Sequence, residues 1–141
     1  MKLRELQTMV EEDSELDISS LDQHSLETAK LQSKYYILYS RFLAEQKANK
    51  YDLDNLLVLK GKYYKGQADP AVYKEKPFNL KLTNAQVDAH VRADPDVLKL
   101  QKAMDMLDIK LELIKDMKRS LEQRNWTIRN AIEFIKFKAG G

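Results

Sequence analysis

The chain has 141 residues, 33% of them charged and 43% hydrophobic, with only four glycines and three prolines. So few backbone breakers exclude a sandwich or barrel built on many tight turns, and the length suits one domain of long helices. Cysteine is absent, which rules out disulfides and thiolate metal sites, and the net charge of +2 is too small to indicate a partner.

The distribution of charge says more than its sum. Residues 1–27 hold eight acidic side chains against Lys2 and Arg4, a net of −6, while residues 58–82 hold six lysines against Asp69 and Glu75, a net of +4. Such a separation suits different partners at different ends. The opening MKLRELQTMVEED turns acidic where a signal peptide turns apolar. No apolar run reaches the ~18–20 residues of a membrane span. A soluble intracellular protein with no membrane partner is expected.

Leu3, Leu6, Met9 and Val10 fall at helical spacing and predict a short amphipathic helix over roughly residues 2–12. The segment DSELDISS interrupts it, and Ser19 or Ser20 caps the next helix, with Asp22 in its first turn. From about Ser20 to Lys65 there is no proline and the period is helical throughout. Leu31, Tyr35, Leu38 and Phe42 start a seam that continues through Glu45, Asn49 and Asp52 to Leu56, Leu59 and Tyr63. An unbroken helix of this length spans ~70 Å. A break in the polar segment from Lys47 to Asp52 is the alternative.

The helix ends in LLVLKGKYYKG, Leu56 to Gly66. Lys60, Lys62 and Lys65 are each able to neutralise a phosphate oxygen, and Tyr63 and Tyr64 offer ring faces to unpaired bases, at ~1–3 kcal/mol per stacked base. Tyr63 continues the seam and is expected to pack; Tyr64, on the adjacent face, is the expected stacking ring. Composition alone leaves an ordinary helix end open as well, because lysines complement the helix dipole and Gly66 is a normal stop. Gly61, inside the helix, marks either close packing by a neighbouring helix or a phosphate reaching the backbone.

After Gly66 the stretch QADPAVYKEKPFNLKL has no clean period and reads as an irregular arm. Its Lys74, Lys76 and Lys81, with Tyr73 and Phe78, extend the lysine–aromatic pattern as additional candidate DNA contacts. Thr83 caps a brief helix over Ala85 to Arg92. Asp94 caps the last helix, with Pro95 at its first position. There Val97, Leu100, Met104, Leu107, Leu111 and Ile114 form three heptads, and Leu121, Ile128, Ile132 and Ile135 continue the phase, with Lys118 and Asn125 as polar members. Leu98, Ala103, Met106, Ile109, Leu113 and Met117 widen the stripe. This favours an oligomerisation helix that touches several neighbours, alongside packing within the chain.

No carboxylate pair sits in a catalytic frame, and no phosphate-cradling loop or nucleophile elbow occurs. His24 and His90 lack partners at metal-ligand spacing, and His24 reads as exposed. A non-enzymatic protein without metal or cofactor is expected.

The opening LRELQ with its acidic segment, the helix end KYYKG, the RADPDVLKL that starts the last helix and the closing AIEFIKFKAGG together resemble the UvsY family, the recombination mediators of T-even-type bacteriophages. The similarity runs almost end to end. The family's DNA-binding motif is a lysine, any residue, an arginine, two residues, then Tyr-Tyr-x-Gly. Aligned on Tyr63 and Tyr64, with Gly66 matching its glycine, the motif places its arginine at Lys60 and its lysine at Val58, so one basic position is lost and Lys60 is expected to matter most. The resemblance implies an all-α fold with N-terminal helices over 1–66, a linker over 67–94 and an oligomerisation helix over 95–139. It implies assembly into a ring of six or seven copies and binding of single-stranded DNA without sequence preference. It further implies loading of a UvsX-type recombinase in place of the phage single-strand-binding protein, in the cytoplasm of the infected host. Two other classes stay open from the residues themselves. One is a helical scaffold. The other is a membrane-surface protein using RNWTIRNAIEFIKFK, with Trp126, Phe134 and Phe137 entering lipid.

Overall fold

Three of the helices begin where the sequence supplies caps. Thr83 and Gln86 form a reciprocal capping box, Gln86 N–H donating to Thr83 Oγ1 at 3.3 Å and Thr83 N–H to Gln86 Oε1 at 2.9 Å. Asp69 Oδ1 accepts from Ala71 N–H at 3.1 Å and Asp94 Oδ1 from Asp96 N–H at 2.9 Å, each followed by a proline at the first helical position. The computed structural model describes residues 1–140. In chain order it comprises α1 (Leu3–Ser14), a 3₁₀ turn (Ile18–Ser20), α2 (Leu21–Tyr64), α3 (Pro70–Glu75), α4 (Asn84–Ala93) and α5 (Pro95–Lys138). Strands are absent among the described residues, so the fold is all-α as expected.

No break interrupts α2 between Lys47 and Asp52; it runs as one helix of 44 residues. That polar stretch contains neither proline nor glycine, and local polarity alone does not stop a helix. The arm after Gly66 is less irregular than its sequence implies, because Asp69 and Pro70 start a helix of six residues there.

The chain divides into two compact units, residues 1–43 with α5 from Asp108 onward, and residues 44–107. In the first, α1 packs through Leu6, α2 through Leu21, Tyr35 and Phe42, and α5 through Leu111, Ile114, Met117, Leu121 and Ile128, all buried. Asp13 ties the three helices together. Its carboxylate accepts from Lys34 Nζ at 2.6 Å and Tyr35 Oη at 2.7 Å, and its carbonyl from Arg124 Nη1 at 2.7 Å. Burial, then the bond to Asp13, pushes the Tyr35 hydroxyl well above its usual range. His24 is not exposed as its sequence neighbours suggest. It is half-buried, accepts from Asp17 N–H at 3.0 Å through Nε2, and sits 3.3 Å from Arg124 Nη2.

The second unit has its own core, Val87, Val91 and Val97, against which Leu53, Leu56, Leu57, Tyr64 and Leu82 pack. The α5 heptads meet the expectation of packing within the chain. Val97, Leu107, Leu111, Ile114, Leu121 and Ile128 are buried within the chain itself, and Leu100, Met104 and Ile132 are half-covered. Of the apolar seam members, Ile135 alone is exposed, beside the polar Asn125. A seam of period 3.5 fits any antiparallel neighbour, and this chain supplies its own. What α5 leaves uncovered is its flank and tail: Leu98, Met106, Ile109, Trp126, Phe134 and Phe137.

Candidate nucleic-acid interface

The last turns of α2 are fixed from three directions. Gly66 adopts φ 74°, and the N–H groups of Gly66 and Gln67 donate back to Tyr63 O at 3.2 Å and Lys62 O at 2.9 Å. This closure of the helix needs a left-handed residue, so the role seen for Gly66 is to stop α2. From α3, Tyr73 Oη donates to Tyr63 O at 2.7 Å while its ring stacks on Tyr63 at 5.4 Å between centroids. From the start of α5, Asp94 and Asp96 hold the remaining side.

Lys60 belongs to that third anchor. Its Nζ lies 2.8 Å from Asp96 Oδ2 and 3.3 Å from Asp94 Oδ2, with 17% of the side chain exposed. Burial works against its charge, and the two carboxylates outweigh burial, leaving its pKa above the ordinary 10.5. Lys60 is therefore not the free cation that the motif alignment suggests. Tyr64 likewise differs from expectation. Its hydroxyl donates to Asp94 Oδ2 at 2.6 Å, and its ring meets Tyr63, Phe78 and His90 at 5.0–5.4 Å. Desolvation raises the Asp94 pKa, but Tyr64, Asp96 N–H and Lys60 together reverse this and hold it below 3.8. Tyr64 is thus a packing residue. Tyr63 is half-buried, its hydroxyl donating to Lys76 O at 2.9 Å.

Lys62 and Lys65 project into solvent, and neither makes an ion pair among the described residues. Lys62 borders two grooves, and Lys65 the second of them. One, of about 510 Å³, is walled by Leu56, Leu59, Tyr63 and Val72, with Lys60, Lys62, Lys76 and Asp96 on its rim. The other, of about 630 Å³, lies between α2 and α4 and includes Gly61, Lys62, Lys65 and Arg92. Lys74 and Lys81 are exposed but line neither groove. Gly61 has nothing within 4 Å of the place a β-carbon would occupy, so no helix of this chain packs closely there. Arg92, Asp94 and Asp96 were not singled out by the sequence as members of this site; RADPD carried their only signal, and it reads as a helix start.

Among the described residues no cluster of side chains is suited to hold a metal ion, and no helix is long and apolar enough to cross a membrane. The architecture is that of an all-α protein of long helices, with exposed lysines at the end of α2. The chain belongs to the UvsY family: the family model described as recombination, repair and ssDNA binding protein UvsY matches residues 9–141. Recombination and single-strand binding are accordingly its functional class. Its fold is similar to crystal structures of the bacteriophage T4 recombination mediator protein UvsY. In lattice type II the TM-score is 0.84 at 21% identity, covering 99% of this chain and 98% of that one. In lattice type IV it is 0.83 at 21% identity, over 98% and 99%, and in lattice type I 0.83 at 20% identity, over 95% and 98%. No curated protein matches the chain.

Proposed function

We propose that this protein is a non-catalytic recombination mediator. It holds single-stranded DNA, without sequence preference, on the basic, aromatic end of α2 and promotes loading of a UvsX-type recombinase in place of the phage single-strand-binding protein. The observation that carries the reading is the pair Lys62 and Lys65. They are exposed and unpaired on a helix end whose direction is fixed by Gly66, Tyr73 and the Asp94–Lys60–Tyr64 bonds. Preorganised cations beside apolar walls suit a strand whose bases are unpaired.

Two lysines bind weakly, so the mediator acts as a homo-oligomer of six or seven copies, in which several sites on one strand reinforce each other through effective concentration. Assembly uses α5, within the division into 1–66, 67–94 and 95–139. Its exposed Ile109, Trp126, Phe134 and Phe137 supply apolar surface that the chain leaves uncovered. Holding the strand extended lowers the entropic cost of nucleating a recombinase filament. The acidic segment before α2 repels DNA and is the surface offered to a protein partner. The setting is the cytoplasm of the infected host, and no cofactor takes part.

The test is filament assembly on a single strand pre-coated with the phage single-strand-binding protein. Adding this protein should shorten the lag before the recombinase hydrolyses ATP. An unchanged lag, with the protein demonstrably bound to the strand, would overturn the mediator role.

A further inference from the structure

We propose that the phosphate chain of the strand lies in the groove between α2 and α4, against the bare backbone at Gly61, with Arg92 as a phosphate ligand that lies outside the tyrosine motif. The proposal rests on the single-strand-binding reading above and assigns its path.

Three observations lead there. Lys60 is committed to Asp94 and Asp96, so the cations left on this helix end are Lys62 and Lys65. Both border the α2–α4 groove, where Arg92 from the last turn of α4 joins them. Arg92 is exposed and makes no ion pair among the described residues; Asp88 is the groove's one carboxylate against these three cations. A guanidinium fork matches two phosphate oxygens in one plane, which a lysine cannot do.

Gly61 is the third observation. A glycine inside a helix weakens it, and nothing in this chain requires one there, since the space beside it is empty. Its missing side chain leaves open space in the wall of the same groove that Lys62, Lys65 and Arg92 line. Across Lys62 and Gln67, which border both grooves, lies the apolar channel of Leu56, Leu59, Tyr63 and Val72. Phosphates on the cationic side and bases toward the apolar side match a single strand. A duplex hides its base faces and fits only the cationic half.

The experiment is an anisotropy titration of a fluorescein-labelled oligothymidylate across a salt series, using the full chain with Arg92→Gln, Gly61→Leu and, as a control on a distant exposed lysine, Lys30→Gln. Arg92→Gln should weaken binding about tenfold, the effect of one charge-assisted contact. It should also reduce the slope of log affinity against log salt by ~0.7, the value for one phosphate contact on a single strand. Gly61→Leu should weaken binding at least as much while its melting temperature holds or rises. Lys30→Gln should match the parent. An Arg92→Gln protein with the parent's affinity and slope overturns the proposal. A parent that binds no oligothymidylate overturns instead the reading on which it rests.

Discussion

Lys60 and Lys62 stand two residues apart in one helix and do different work. The first closes a buried ion pair, and the second faces water. Nothing in the local sequence distinguishes them, because the partners of Lys60 lie 34 and 36 residues further along the chain. A separation of 30 residues from Asp94 likewise hid the packing of Tyr64, whose helical phase suggested an open face. Asp94 was legible as a cap through one of its oxygens; the other oxygen, which receives Tyr64 and Lys60, was not. Tyr64→Phe removes the hydroxyl donor from this carboxylate, which is 4% exposed, and should destabilise the protein by roughly 1–2 kcal/mol in a urea titration. The signs of the linked ionisations follow. Asp94 has a folded pKa below 3.8, so its contribution is present above that value and is lost as pH falls through the folded one. Lys60 lies above 10.5, so its contribution is complete below that value and is lost as pH rises through the folded one. Melting temperature against pH should therefore fall off at the acid side less steeply for Asp94→Asn than for the parent.

Among the elements, the two long helices were the most legible. The hydrophobic period and absence of proline give α2, and Asp94–Pro95 with the heptads gives α5. The 3₁₀ turn and α3 were obscured by shortness, although Asp69–Pro70 repeats the start signal of Asp94–Pro95. The period of α5 does not reveal its partner, since a heptad seam fits its own chain as well as another copy. The variants should separate these two surfaces. Ile114→Asp places a charge at a fully buried position and should cost several kcal/mol of stability, visible as loss of the thermal transition in circular dichroism. Phe137→Asp, at a position 77% exposed, should leave that transition in place and reduce the mass read by light scattering. At the other helix end, Gly66→Ala forces a β-carbon into the left-handed region and should cost ~1–2 kcal/mol, loosening the corner that carries Lys65.

For the molecule as a whole, the motif residues fall on one corner. There Lys60, Tyr64 and Gly66 are tied into the fold, and Lys62 and Lys65 are exposed without an ion pair among the described residues; on the reading proposed above, the first three support the site and the last two meet the strand. The most direct test compares Lys60→Ala with the double variant Lys62→Ala, Lys65→Ala. Each is measured for melting temperature and for oligothymidylate affinity across a salt series, at matched oligomer mass. The double variant should keep the parent's melting temperature and lose ~1.4 from its salt slope, two phosphate contacts at ~0.7 each. Lys60→Ala should melt earlier because it leaves Asp94 buried without its cation, while the salt slope stays within measurement error of the parent's. A Lys60→Ala protein that melts like the parent but loses salt dependence, beside a double variant that binds normally, would contradict this division of roles.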